Sequence, residues 1–321
     1  MHSKLQILKF PNYLRVVVPT GNLVPHDWGE TGIMENMVFL IDLPLLSDDM
    51  QPPQMTMFQT RLQKYLQAMG VDAGMIASLS KYDFAETADL GFVYSIPGET
   101  LDSSLSPVGF ASLSTAVAAL GLASREPIQV DYAGPKFGND DKDEIVGDDA
   151  LQLQKNFRIY FPSHDTVASS RGGKRAAGTI CFQKKWWKAS TFPKEMMRDC
   201  VNTFDGLLMH SKIILVRQDD SQARGAEKAA AAWAYIGSAN LSESAWGRVS
   251  RDRASGKRKV VCRNWECGVV VPVRTAPSPE QKSSADMGRF AGTIPIPMQV
   301  PGRKYSPDEE PWFFQSIWTD S

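Results

Sequence analysis

Apolar residues in this chain come in short runs, and most alternate with polar positions at the two-residue period of a strand. Leu5-Gln6-Ile7-Leu8 and Leu14-Arg15-Val16-Val17-Val18 flank a turn at Pro11-Asn12. Met37–Leu40, Phe92–Ile96, Phe157–Phe161, Ile180–Phe182, Ile213–Val216, Trp233–Ile236 and Gly268–Val271 read as further strands. Met55, Phe58, Leu62, Tyr65, Leu66 and Met69 instead fall at three- and four-residue steps, the apolar face of a helix. That Met and aromatic stripe is core. Ser106-Pro107 opens a second helix through Leu122, with Pro near its first turn, and Pro193 to Phe204 reads as a third. Strands interspersed with helices predict an α/β chain.

The breaks divide it. Residues 24–32 and Asp48 to Pro53 are loops, with His26 read as a solvated loop residue. Residues 134–154 turn Gly-, Asn- and Asp-rich and form a linker between 1–133 and 155–321. The acidic run in that linker lacks the Gly and Glu of an EF-hand loop, so it reads as solvated. Residues 218–232 and 274–288 are loop-like, and the aromatic cluster Trp312-Phe313-Phe314 calls for burial against the second half.

Composition narrows the class. With 43% hydrophobic residues in 321, a sizeable core is expected. A net charge of −1 rules out a polycation, so any nucleic-acid surface must be a local patch. One such patch is 248–263, where Arg248, Arg251, Arg253, Lys257, Arg258, Lys259 and Arg263 face a single acid, Asp252. Lys184-Lys185-Trp186-Trp187-Lys188 also sets cations beside aromatics. It suits either a phosphate backbone with stacking bases or a helix with core Trp residues and snorkelling Lys residues. The four Cys show no metal-ligand spacing, and few thiols suit a reducing compartment. With no signal-like or membrane-spanning run, the expectation is a soluble intracellular protein with no membrane partner.

The chemistry lies in a repeated pattern. His2-Ser3-Lys4 precedes one strand pair and His210-Ser211-Lys212 another. Each second strand delivers an Asn, Asn22 or Asn240, followed six residues later by Trp28-Gly29 or Trp246-Gly247. Glu35 then precedes the strand Met37–Leu40, and Glu266 precedes Gly268–Val271. Ordered self-similarity at this separation indicates a duplicated unit. In strand geometry His and Lys two apart point the same way. An imidazole, an ammonium and a carboxamide can together surround one phosphate.

Paired His-x-Lys segments with a downstream Asn resemble the phospholipase D superfamily. Most members also carry an Asp five residues after the Lys, where this chain has Lys9 and Arg217. That loss, with Gly237-Ser238-Ala239-Asn240-Leu241-Ser242 and Asn264-Trp265-Glu266-Cys267-Gly268-Val269, resembles the tyrosyl-DNA phosphodiesterases. The resemblance implies two similar halves, each a mixed sheet flanked by helices, with the site at their seam. It also implies cofactor-free hydrolysis of 3′-phosphotyrosyl and related blocked DNA ends through a phosphohistidine. His2 is then the nucleophile and His210 the proton donor and acceptor, while Lys4, Lys212, Asn22 and Asn240 hold the phosphoryl oxygens. Glu266 then orients His2 and Ser242 contacts the DNA backbone; the repeat, which aligns Glu35 with Glu266, sets Glu35 to orient His210, and the charge pattern adds Arg248, Lys184 and Lys185 as DNA-contact candidates. The implied setting is a monomer in the nucleus, acting on single- and double-stranded DNA that carries topoisomerase-derived peptide adducts.

In that family several elements precede the first His-x-Lys, whereas here the His is residue 2. A Ser-rich Gly-Ser-Leu segment expected near 123–150 is also absent. The first half is therefore expected to be incomplete and loosely held. Two alternatives stay open: another nuclease or phospholipase of the superfamily, or an inactive DNA-end binding module.

Overall fold

The computed structural model describes residues 1–47, 49, 53–101, 107–138, 155–218, 232–252, 254–273 and 287–317. Its first elements are β1 (Gln6–Lys9), β2 (Tyr13–Pro19), β3 (Met34–Glu35) and β4 (Val38–Pro44). Helices α1 (Met57–Ala68) and α2 (Ala73–Ala77) follow, then β5 (Gly91–Ser95), β6 (Gly98–Leu101) and α3 (Gly109–Ala119). Next come β7 (Ile128–Ala133), β8 (Phe137–Gly138), β9 (Phe157–Phe161), β10 (Met197–Asp199) and β11 (Leu208–Met209). The last strands are β12 (Ile213–Gln218), β13 (Ala232–Gly237), β14 (Leu241–Ser242), β15 (Arg248–Arg251), β16 (Arg258–Cys262) and β17 (Glu266–Val273).

The duplicated pattern folds into matching units. One sheet has the antiparallel order β1-β2-β4. The other contains the antiparallel run β12-β13-β17. In the second unit the run is widened into a seven-stranded mixed sheet, β10-β9-β7-β12-β13-β17-β5, while the first stands as three strands. Strands β5 and β7 lie before the 134–154 linker yet join this sheet, so strands from both sides of the linker share one sheet. Residues 139–154 of that linker lie outside the described residues.

The units are joined by apolar burial. Leu14, Val16, Val18 and Leu43 of the small sheet pack in one cluster with Phe58, Leu62 and Tyr65 of α1 and with Phe92, Cys267 and Val269 of the large sheet. Phe58, Leu62, Tyr65 and Leu66 form the buried face of α1 at the spacing that predicted it, whereas Met69 is half-buried and Met55, ahead of the helix, is 47% exposed and not core. Thr56 caps its N-terminus by accepting from Gln59 N. On the other side Trp312 and Phe313 enter a cluster with Phe161, Phe182 and Trp187. Trp312 and Phe313 are thus buried, as their clustering requires, and Phe314 is half-buried.

Three expectations change. Pro193 to Phe204 is not a helix but a turn of 3₁₀ helix and then β10, parallel to β9. Asp199 explains this: its buried carboxylate accepts from Ser163 N at 2.9 Å, Thr166 Oγ1 at 2.7 Å and Arg303 Nη2 at 2.6 Å, which fixes the backbone extended. Ile180–Phe182 makes only a single bridge, Lys136 to Cys181. The strand after His2 begins at Gln6, not at His2 itself.

Arg217, where the superfamily's Asp would stand, is 3% exposed and its Nη1 lies 2.5 Å from Asp131 Oδ2. Asp131 also accepts from Arg158 Nε at 2.8 Å and from Tyr160 OH at 2.9 Å. Burial alone would raise the Asp131 pKa, but Arg158 and Arg217 bring it below the usual carboxylate value. The position thus clamps β7, β9 and β12 together.

Candidate active site

Both His-x-Lys segments immediately precede the matched strands β1 and β12, and the structure brings them to one place. His2 N donates to Trp265 O at 3.2 Å, and His2 Nδ1 lies 2.8 Å from Glu266 Oε2. Glu266 is 1% exposed. It also accepts from Ser238 Oγ and, at 3.0 Å, from Asn264 Nδ2. Held on three sides, it fixes the imidazole so that Nδ1 is taken and Nε2 is the nitrogen left to react.

Gly237 and Gly268 sit opposite each other in the β13–β17 ladder. A Cβ on Gly237 would lie 2.5 Å from Gly268 Cα. Glycine at both positions lets β13 approach β17 closely where it hands Ser238 to Glu266. Two residues on, Asn240 is buried, and its Oδ1 has no partner among the described residues.

Lys212 is fully buried beside His210: its Nζ lies 3.2 Å from His210 Nδ1 and 3.4 Å from Nε2. The ammonium also donates to His210 O at 2.8 Å and to Thr20 O at 3.0 Å. The second bond crosses from one unit to the other. Thr20 is anchored in turn by Asn36 Oδ1 at 2.9 Å and by Met37 O and N. Lys4 donates to His2 O at 2.8 Å.

The electrostatics report the convergence of these groups. Burial first, then the neighbouring Lys212 and Lys4 charges, hold the His210 pKa well below its ordinary 6.5. Burial, reinforced by Lys4, holds Lys212 well below 10.5, against the pull of Asp27 and Glu266. Lys4 is lowered by burial as well, against Glu266 and Asp27. Three depressed cations in one place make a site that gains by accepting an anion.

Glu35 is a correction. Its backbone O accepts from His210 N at 2.9 Å, but its carboxylate takes Asn202 Nδ2 and not the imidazole. The carboxylate facing His210 is Asp27, with Oδ2 3.7 Å from His210 Nδ1. Asp27 is 2% exposed and accepts from Asn22 N at 2.7 Å and Asn22 Nδ2 at 2.6 Å. Its backbone O takes Asn36 Nδ2 at 2.8 Å. Asn22, itself exposed, therefore holds Asp27 in place. The β3–β11 pairing sets Glu35 beside the wrong part of His210 because it fixes backbone to backbone. His26 is half-buried and close enough to depress His210, so it is not simply a solvated loop residue. Asp27, Ser238 and Asn264 were missed. The usable signal was the polar residues flanking Asn240 and Glu266; Asp27 has no counterpart in the second repeat, where Ala245 stands at its step.

The four DNA-contact candidates fall on two segments, Ser242 and Arg248 on the chain that follows Asn240, and Lys184 and Lys185 on a short helix beside the C-terminal aromatics. Ser242 caps the short helix Glu243–Trp246 by accepting from Ala245 N at 3.4 Å. Arg248 begins β15. Lys184 pairs with Glu310 at 3.3 Å and lies 5.3 Å above the Phe313 ring, while Lys185 lies 5.5 Å above Trp186. Trp187 is buried, so this segment takes the core-Trp reading.

A pH effect on stability follows. His210 binds protons less readily folded than unfolded, so its neutral form costs nothing above its unfolded pKa of 6.5. As pH falls through that value the unfolded chain takes up protons first, and stability drops until the folded pKa is reached. Tm should therefore fall between pH 7.5 and pH 5.5, and His210→Gln should flatten that fall. Equal pH profiles for both proteins would show that His210 is not held neutral.

The family described as tyrosyl-DNA phosphodiesterase matches residues 1–134 and 132–306. Tyrosyl-DNA phosphodiesterase 1 of Arabidopsis thaliana is 24% identical over 379 residues, covering 97% of this chain and 58% of that protein. The Drosophila melanogaster protein of the same name is 24% identical, covering 98% and 57% respectively. The crystal structure of the yeast tyrosyl-DNA phosphodiesterase superposes with a TM-score of 0.68 at 19% identity, over 97% of this chain and 77% of that one. The chain thus shares that fold and spans less than two thirds of the length of the plant and fly proteins.

Proposed function

The chain belongs to the tyrosyl-DNA phosphodiesterase family, and we propose that it hydrolyses 3′-phosphotyrosyl and related blocked DNA ends in two steps. The observation that carries this reading is the convergence of His2, held by Glu266, with His210, Lys4 and Lys212.

In the first step His2 Nε2 attacks phosphorus, forming a P–N bond as the bond to the tyrosine oxygen breaks. His210 gives its proton to the departing phenolate oxygen. In the second step His210 takes a proton from water. The new hydroxyl oxygen bonds to phosphorus, the P–N bond breaks, and a 3′-phosphate remains. Lys4, Lys212 and the Asn240 carboxamide meet the charge that builds on the non-bridging oxygens. The depressed pKa values fit this cycle. A phosphodiester anion placed among these cations reverses the local field, so substrate binding itself promotes protonation of His210 and Lys212. Asp27 supports the resulting imidazolium. The expected setting is nuclear repair of ends blocked by topoisomerase peptides, on single- or double-stranded DNA, by a monomer.

Two ammonium groups supply the charge that a divalent ion gives in other phosphodiesterases. Turnover of a 3′-phosphotyrosyl oligonucleotide should therefore stay within about twofold when EDTA replaces Mg²⁺. The same assay includes an unmodified oligonucleotide and phosphatidylcholine. Preference for either of those, or strict Mg²⁺ dependence, overturns the reading.

A further inference from the structure

We propose that Ser3 is a positioning residue for the nucleophile: its hydroxyl latches the His2–Lys4 segment to Cys267, the residue after Glu266, and so holds His2 at a fixed distance from phosphorus. The proposal rests on the hydrolase reading above and adds how the nucleophile is kept in place.

The segment needs such a hold. β1 begins only at Gln6, so no strand pairing fixes residues 2–4 among the described residues. The Lys4 ammonium donates to His2 O, within the segment itself, and so gives it no anchor on the rest of the fold. His2 is tied by its N to Trp265 O and by its ring to Glu266. Both of those ties lie at residue 2. The next along the chain is Ser3 Oγ, 3.3 Å from Cys267 Sγ.

The two residues grip opposite sides of one strand. Glu266 and Cys267 are consecutive in β17, so their side chains leave opposite faces. His2 meets Glu266 on the face of the site. Ser3 meets Cys267 on the face that packs with Tyr65, Phe92 and Val269. Ser238 braces both anchor points: its Oγ donates to Glu266 Oε2 and accepts from Cys267 N at 3.1 Å.

Cys267 suits the task because it stays a thiol. Burial pushes its pKa up to about 11, and Ser3 offsets part of that rise. A neutral S–H at a 1% exposed position can share a proton with a hydroxyl without setting a charge beneath the nucleophile. Burial also raises the Tyr65 pKa, and Ser3 again offsets part of the rise. Ser3 thus lies beside two buried groups in a largely apolar cluster, where a hydroxyl without a partner would be costly.

The second unit lacks the latch. Ser211 holds the matching place between His210 and Lys212, is fully buried, and its Oγ has no partner among the described residues. Asn36 follows Glu35 as Cys267 follows Glu266, but its side chain is engaged with Thr20 and Asp27. The asymmetry fits the two roles. The nucleophile's segment is fixed through Ser3, while the acid is flanked by Lys212 and Asp27.

The test measures single-turnover rates on 3′-phosphotyrosyl and 3′-(4-nitrophenyl phosphate) oligonucleotides for the wild type, S3A, S3T and S211A. In S3A the rate should fall about thirtyfold on both substrates alike, because bond formation to phosphorus is slowed whichever group leaves. KM should stay within about twofold, and Tm close to that of the wild type. S3T keeps the hydroxyl and should stay within about threefold of the wild-type rate. S211A removes an unpartnered hydroxyl and should stay within about twofold. Wild-type rates in S3A overturn the latch, as does a loss that tracks a fall in Tm and a rise in KM, or an equal loss in S211A. If no chain turns over either substrate, the hydrolase reading fails instead. Hydrogen exchange at the His2 amide then decides the latch: about tenfold faster exchange in S3A supports it, and an equal rate overturns it.

Discussion

Lys212→Met should abolish turnover while leaving the fold as stable as before or more so. Lys212 is fully buried, its pKa is pushed well down by that burial, and its main neighbours include a second cation, Lys4. An ammonium in such a place is costly to the free protein. Methionine fills a similar volume without charge. Two acceptors, Thr20 O and His210 O, lose a donor, which offsets part of the gain. In the proposed transition state the same ammonium meets the phosphoryl oxygens, and its loss should lower kcat by about a thousandfold. A Tm equal to or above wild type, with kcat down by that much, marks the residue as one kept for chemistry at the expense of stability. A collapse in Tm with modest loss of activity would make Lys212 a structural strut between the two units instead.

The second expected result separates the two histidines. His2→Ala removes the nucleophile, so turnover should fall by about ten-thousandfold or more whatever the leaving group. His210→Ala removes the acid, so its penalty should depend on the leaving group. With a 4-nitrophenyl ester, whose phenolate departs unaided, the first step should proceed near its normal rate, and with tyrosine it should slow by about a hundredfold or more. The second step also needs His210 to take a proton from water, so this variant should accumulate the covalent intermediate. Identical leaving-group dependence in both variants would remove the distinct roles assigned to Glu266-held His2 and Asp27-facing His210.

Much of this arrangement was legible in the sequence because duplication writes the same instruction twice. The matched runs after His2 and His210 became the antiparallel orders β1-β2-β4 and β12-β13-β17. The step from Asn240 to Trp246 became a capped helical turn. Glu266 lies against His2, as the family resemblance implied. The symmetric assignment of Glu35 to His210 failed because the units are not equal: parallel pairing of β3 with β11 directs the Glu35 carboxylate to Asn202, and Asp27 lies nearest the imidazole. Asp27 was hidden in a loop whose composition reads as solvated, and only the bonds from Asn22 and Asn36 reveal that it is buried. β7 escaped notice because Asp131 interrupts its apolar run. That Asp is tolerated only because Arg158, on the neighbouring β9, and Arg217, on the neighbouring β12, meet it in three dimensions. In the first half His2 is tied to Trp265 and Glu266 and both Val16 and Val18 are fully buried, while Leu8, Val38 and Leu40 of the same sheet are exposed.

The proposed cycle turns on a covalent bond between His2 and phosphorus. The direct measurement is to mix the His210→Ala chain with an end-labelled 3′-phosphotyrosyl oligonucleotide, quench in alkaline detergent, digest, and map the attachment site by mass spectrometry. A phosphoramidate is stable to base and labile to acid, so the adduct should survive that quench, disappear on acidification and map to His2. It should be missing from the His2→Ala chain. Free tyrosine released without any adduct on His2, or an adduct on another residue, would contradict the account.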